Sequence, residues 1–276
     1  MPSYSAQSDE LHYDERGTGD RVVVLGGGPA RHPDYLGDLG GVARQRTLVV
    51  PFLRGVRPSP FPEDTDLGSW WHQSADVEAL RVHLGLGRVT VIGHSAGTRI
   101  ALAYAARFPA SLDRLVLIAP PASDLVAVAS DVPEIRRRHR EPAFEAALAK
   151  AQQGPPAVAD DDRLTMWQQA IAPLSYAEWG PAQQAHARIG SWSAAAVRVY
   201  GSVDPPGTFR ADLAGVTAPV RVVAGAEDGI TGLAGPLALA ELFPDGLGSA
   251  VAGAGHYPWI DRPADFATAM EDALTR

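Results

Sequence analysis

The pentapeptide Gly93-His94-Ser95-Ala96-Gly97 constrains the fold more than any other stretch of this chain. It follows the apolar run Val89-Thr90-Val91-Ile92 and precedes a helical pattern, Thr98-Arg99-Ile100-Ala101-Leu102-Ala103-Tyr104-Ala105. Alone, glycine-x-serine-x-glycine is common. Between a strand and a helix it describes a sharp turn with the serine at its apex. A strained turn needs small flanking residues so that strand and helix can approach closely. Such a turn lifts the Ser95 hydroxyl to the carboxyl end of a sheet. It also sets the Ala96 N–H at a helix N-terminus, where developing negative charge is stabilised.

The surrounding sequence supplies that sheet. Short Val/Leu/Ile-rich runs occur at residues 22–25, 47–51, 89–92, 115–118, 220–223 and 248–252. Most are continuously apolar, as strands buried on both faces of a parallel sheet are. Helical patterns at 70–84, 96–108, 233–243 and 263–274 alternate with them, which predicts a doubly wound α/β sheet. The rhythm breaks between residues 121 and 213. That stretch is rich in Ala, Gln and charge and is punctuated by Pro133, Pro142, Pro155-Pro156, Pro173 and Pro181. It is too long for a loop in a compact domain, and each proline is expected to open or end a short helix. The predicted organisation is a core at 1–120 and 214–276 with a helical cap at 121–213.

A serine hydroxyl needs a base to become nucleophilic at neutral pH, and in this setting the acid and the histidine follow the serine in the chain. Gly225-Ala226-Glu227-Asp228-Gly229 follows the run at 220–223, and Gly253-Ala254-Gly255-His256-Tyr257-Pro258 follows the run at 248–252. Asp228 is the candidate acid, preferred over Glu227 because it lies farther past the strand and precedes a glycine. His256 is the candidate base. His94 is expected to pack beside the serine, and the other histidines show no i, i+4 pairing with carboxylates; no metal and no cofactor are expected. Gly26-Gly27-Gly28-Pro29-Ala30 follows the run at 22–25. Gly28, the last N–H donor before the proline, is the candidate partner of Ala96 in an oxyanion hole, with Gly27 second. No G-x-G-x-x-G opens a helix here, which argues against a nucleotide site.

With 276 residues, 46% of them hydrophobic, the chain can bury one large core. Its mean hydropathy is -0.07, and no apolar run approaches the roughly 20 residues of a membrane span. The first ten residues lack a basic and then an apolar stretch, so no signal peptide is expected. The absence of cysteine excludes disulfides and thiolate chemistry and fits a reducing, cytoplasmic setting. A net charge of -8 argues against nucleic acid as a partner. The basic run Arg136-Arg137-Arg138-His139-Arg140 lies beside Glu134 and Glu141 and reads as a solvated helix face. A monomer or weak homodimer acting on a small molecule or short peptide is the expected form.

These motifs resemble the α/β-hydrolase superfamily and, within it, the proline-iminopeptidase-like branch. That branch carries His-Gly-Gly-Pro-Gly where this chain has Gly26-Gly27-Gly28-Pro29-Ala30, so Gly26 replaces the histidine and Ala30 the last glycine. Its Arg-Gly-x-Gly-x-Ser-like turn is similar to Arg54-Gly55-Val56-Arg57-Pro58-Ser59. The resemblance implies an α/β-hydrolase fold and a Ser95, His256, Asp228 triad in both halves of the core. Iminopeptidases grip the substrate's amino group with cap carboxylates, which points to Glu178, with Glu141 and Glu145 behind it. Trp179 and Tyr257 are further candidates for substrate contact. Trp167, Trp179, Trp192 and Tyr176 either wall a pocket or pack the cap on the core. Three activities follow: an aminopeptidase or amide hydrolase, an esterase, lactonase or thioesterase on a small apolar metabolite, and a non-hydrolytic relative that binds or isomerises a ligand.

Overall fold

The apolar runs form the centre of a single eight-stranded sheet because their side chains find cover on both sides. A computed structural model describes residues 1–7, 9–157 and 160–275. The strands are β1 (Ser3–Ala6), β2 (Asp9–Gly17), β3 (Asp20–Leu25), β4 (Arg46–Pro51), β5 (Val89–His94), β6 (Leu112–Ile118), β7 (Val220–Gly225) and β8 (Gly246–Val251). Their spatial order is β1-β2-β4-β3-β5-β6-β7-β8. All neighbours from β4 to β8 are parallel, and β2 runs antiparallel to both β1 and β4.

Alternate residues of each central strand enter two separate cores. Val23, Leu25, Val91, Leu115, Leu117 and Val222 pack on one face with Val77, Leu80, Ile100 and Leu102. These last come from α1 (Trp70–His83) and α2 (Gly97–Arg107). Val24, Ile92, Val116, Ile118 and Val223 face the other side, toward Tyr35, Trp259, Phe266 and Met270. The continuous apolar reading is therefore correct for the central strands.

Two parts of the sheet depart from it. The hairpin of β1 and β2 does not show in the apolar pattern, because β2 is mostly polar and only Leu11 and Tyr13 of its nine residues are buried. Its alternation is that of a strand with one wet face. The run at 248–252 forms β8, but as an exposed edge strand rather than a buried one.

Among the described residues no strand lies between β6 and β7. The elements there are α3 (Val132–Arg138), α4 (Pro142–Gln152), α5 (Asp161–Ile171), α6 (Pro181–Ala187), α7 (Ala194–Tyr200) and α8 (Phe209–Ala214). Pro133, Pro142 and Pro181 stand in the first turns of α3, α4 and α6, where the missing N–H is harmless. Tyr200, Phe209 and Leu213 pack in the same core as the α1 and α2 residues. The remaining helices are α9 (Ala234–Ala240), α10 (Pro258–Asp261) and α11 (Pro263–Thr275). Of the basic run, Arg137 pairs with Glu134 and Arg138 with Glu227 on the surface. Arg136 is half-buried and donates to the Gly229 carbonyl at 2.7 Å. Among the described residues no helix is long and apolar enough to cross a membrane.

Candidate active site

Ser95 stands one residue past β5 with φ 52°, a left-handed conformation that a side chain makes costly. The turn persists because its backbone is held on both sides. Ser95 N donates to the Ile118 carbonyl at 2.9 Å, and Thr98 N donates back to the Ser95 carbonyl at 3.0 Å. The flanking glycines are required by contact. A Cβ on Gly97 would meet the Leu25 carbonyl oxygen at 2.3 Å, and one on Gly93 would meet Thr98 Cα at 2.8 Å.

The chain-order reading brings three side chains together. His256 Nε2 lies 2.8 Å from Ser95 Oγ, and His256 Nδ1 lies 2.8 Å from Asp228 Oδ2. With Nδ1 donating to the carboxylate, Nε2 is left to accept the serine proton. Asp228 is fully buried and also accepts from Ile230 N (2.8 Å), Thr231 N (3.0 Å) and Thr231 Oγ1 (2.6 Å). Burial pushes its carboxyl up. The charge of His256 and the hydrogen bonds from His256 and Thr231 outweigh that and hold it below the usual carboxylate range. Glu227, the rival acid, points outward to Arg138.

The loop carrying His256 is fixed by Asp261, which sequence reasoning missed. Its carboxylate accepts from Gly255 N (2.8 Å), Ala177 N (2.9 Å) and Gln183 Nε2 (3.0 Å), so it joins the histidine loop to the helical segment. Gly255 cannot carry a side chain, since a Cβ would meet the Ser175 carbonyl oxygen at 2.7 Å.

Around the serine the two candidate donors are available. Ala96 N precedes α2, and neither it nor Gly28 N has a hydrogen-bond partner among the described residues. Gly27 is excluded as donor because its N–H is taken by Tyr35 Oη at 2.7 Å. Tyr35 in turn donates to His94 Nδ1 (2.8 Å), and His94 Nε2–H reaches the His256 carbonyl (3.0 Å). Burial pushes the His94 imidazole well below its usual pKa, so it is neutral. It packs beside the serine and links the glycine loop to the histidine loop.

Above these groups lies a cavity of about 250 Å³. Ser95, His256, Gly28, Arg31, Trp167, Ser175, Tyr176, Trp192 and Tyr257 are among the residues that line it. Trp192 Nε1 holds the Gly28 carbonyl at 2.7 Å. Of the three candidates for substrate contact, only Tyr257 is part of this lining. Glu178 is 60% exposed and lies 3.8 Å from Arg262. Trp179 packs beside Tyr176 and against the Phe144 and Leu174 cluster. The expectation for Glu178 came from a resemblance in sequence. The local turn instead sends its side chain to solvent. Arg31 was missed, although a basic residue directly after Gly26-Gly27-Gly28-Pro29-Ala30 was the available signal.

A family profile for the alpha/beta hydrolase fold matches residues 20–263. The chain belongs to the α/β-hydrolase family. A proline iminopeptidase of Heyndrickxia coagulans is 34% identical over 111 residues, covering 39% of this chain and 38% of that protein. The chain thus matches well under half the length of that relative. Among solved structures, an α/β-fold family hydrolase from Bacillus anthracis superposes with TM-score 0.76 at 17% identity, covering 99% and 98% of the two chains. A thermophilic esterase from Thermogutta terrifontis gives TM-score 0.72 at 20% identity, covering 99% and 97%. This member of the α/β-hydrolase family is thus similar in part of its sequence to proline iminopeptidases and in its fold to a solved esterase.

Proposed function

We propose that the chain is a serine hydrolase that cleaves an ester or amide by way of an acyl-enzyme. The observation that carries this reading is the continuous line Ser95 Oγ, His256 Nε2, His256 Nδ1, Asp228 Oδ2, with 2.8 Å at both junctions. Ser95 Oγ attacks the carbonyl carbon while His256 takes its proton. Asp228 holds the imidazole tautomer and offsets the imidazolium charge. The N–H groups of Ala96 and Gly28 receive the oxyanion. His256 then protonates the leaving group and activates the water that releases the acyl product. Helices α3–α7 act as the cap, and Trp167, Tyr176 and Trp192 supply its cavity wall.

A neutral or acidic acyl compound of modest size is the favoured substrate. The cavity is small, and among the described residues its lining contains no carboxylate to grip a free amino group. The aminopeptidase reading keeps one support, the identity shared with proline iminopeptidases over part of the chain. A fluorophosphonate probe should label the wild type and not Ser95→Ala, and folded wild type that resists labelling overturns the hydrolase reading. A panel of short acyl esters beside aminoacyl-naphthylamides separates the two substrate classes. Ester turnover alone, insensitive to Glu178→Gln, removes the aminopeptidase.

A further inference from the structure

We propose that Arg31 and Tyr257 form a recognition site for a carboxylate carried by the substrate, an inference that rests on the hydrolase reading of the same cavity. Arg31 is only 3% exposed, yet it lines the cavity beside Ser95 and His256. Its Nε donates to the Ile189 carbonyl (3.1 Å), and Nη2 donates to the carbonyls of Ile189 (2.7 Å) and His186 (3.2 Å). Nη1 donates to Tyr257 Oη at 2.9 Å. The guanidinium carbon lies 4.4 Å from the Tyr35 ring centroid and 4.6 Å from that of Trp192. Every one of these partners is neutral. Among the described residues no carboxylate stands within ion-pair distance of Arg31, and a guanidinium cannot discard its charge. A buried cation without a counter-charge is costly, and the open side of this one is a cavity built to receive a ligand.

The neighbouring groups point the same way. The Tyr257 oxygen already accepts from Arg31, so its O–H proton is free to donate, and it has no acceptor among the described residues. Trp167 lines the same cavity with a buried indole N–H that has no partner. With the N–H groups of Gly28 and Ala96, the cavity carries an excess of donors and positive charge. An ammonium group is repelled there. A carboxylate supplies the missing counter-charge and accepts the Tyr257 hydrogen bond. The volume of about 250 Å³ restricts the substrate to a short acid, such as the half-ester or lactone of a few-carbon diacid.

Two para-nitrophenyl esters of similar length test this, the neutral butyrate and the acidic mono-glutarate. The readout is the ratio of kcat/KM for the acidic over the neutral ester. Arg31→Met should lower that ratio roughly 10- to 100-fold, the range for a charged hydrogen bond, and Arg31→Lys should restore part of it. Equal losses on both esters overturn the proposal and leave Arg31 a tether to the helical segment. A second measurement needs neither turnover nor a folded Arg31 variant. Calorimetry on Ser95→Ala should show glutarate binding at least about tenfold more tightly than the neutral glutaramide, and equal or undetectable binding of both overturns the site. Glutarate preference without fluorophosphonate labelling keeps the anion site and rejects the hydrolase reading.

Discussion

At the scale of single residues, space and hydrogen-bond direction decide what each position tolerates. Gly97 touches the Leu25 and Gly26 carbonyls so closely that a methyl group must push the glycine loop or α2 aside. Gly97→Ala should therefore destabilise the protein by about 1–3 kcal/mol and lower kcat by displacing the glycine loop proposed to receive the oxyanion. Gly87→Ala is the control, because a methyl group there would have nothing within 4 Å of it, and it should change stability by less than about 0.5 kcal/mol. Urea denaturation and ester turnover check both. Asp228 accepts four hydrogen bonds, from His256, Thr231 Oγ1 and two backbone N–H groups. In Asp228→Asn an amide group faces some of these donors and favours the other imidazole tautomer. Its kcat should fall by about 10⁴ with the fold retained, as read by steady-state turnover beside circular dichroism.

Between elements, buried polar contacts supply what apolar packing leaves undirected. Arg54, fully buried after β4, makes a paired contact with Asp76 on α1 through Nε (2.7 Å) and Nη2 (2.8 Å) and also meets Asp9 of β2. This ties the hairpin of β1 and β2, the strand-end loop and α1 into one corner. Asp76→Ala removes the paired contact of a buried guanidinium and leaves it Asp9 alone, so it should cost about 3 kcal/mol, the lower end for a broken buried pair, measured by chemical denaturation. The corner was only half legible in the sequence. Arg54 stands in a motif of the resemblance, whereas no local pattern marks Asp9 and Asp76 as its partners. The hairpin itself was hidden because a strand with one wet face reads as polar. The continuous apolar strands were legible because burial on both faces favours apolar residues at nearly every position, Arg221 in β7 being an exception.

Across the whole molecule, two buried neutral histidines make stability depend on pH. His186 on α6 reaches the Tyr35 carbonyl through Nε2 (2.8 Å) and receives Tyr176 Oη at Nδ1 (2.8 Å). Burial brings it down from 6.5 to about 4, and His94 is lowered in the same direction. The unfolded chain therefore binds these protons first. Stability is complete above about pH 6.5 and is lost as the pH falls toward the folded values, at up to about 1.4 kcal/mol per pH unit for each histidine. Asp76 and Asp261, raised by burial, work in the opposite sense, so a comparison with a variant isolates the histidine. The stability of His186→Gln should fall less than that of wild type between pH 7 and pH 5, by about 2 kcal/mol. Parallel urea titrations at the two values check this, and equal slopes would falsify it.

Sequence by itself determined the sheet's centre, the serine turn and the order of serine, acid and histidine. Each of these is written in local pattern: periodicity, glycine spacing and strand-end placement. The tertiary structure alone decided which charged residues face the cavity. Glu178, on a segment read as substrate-binding, turns out to solvent, while Arg31, directly after the glycine loop, is enclosed by Tyr35, Trp192 and Tyr257. The reason is physical. A side chain's environment in such a cavity is set by elements distant in the chain, and no local period encodes which of them will close over it.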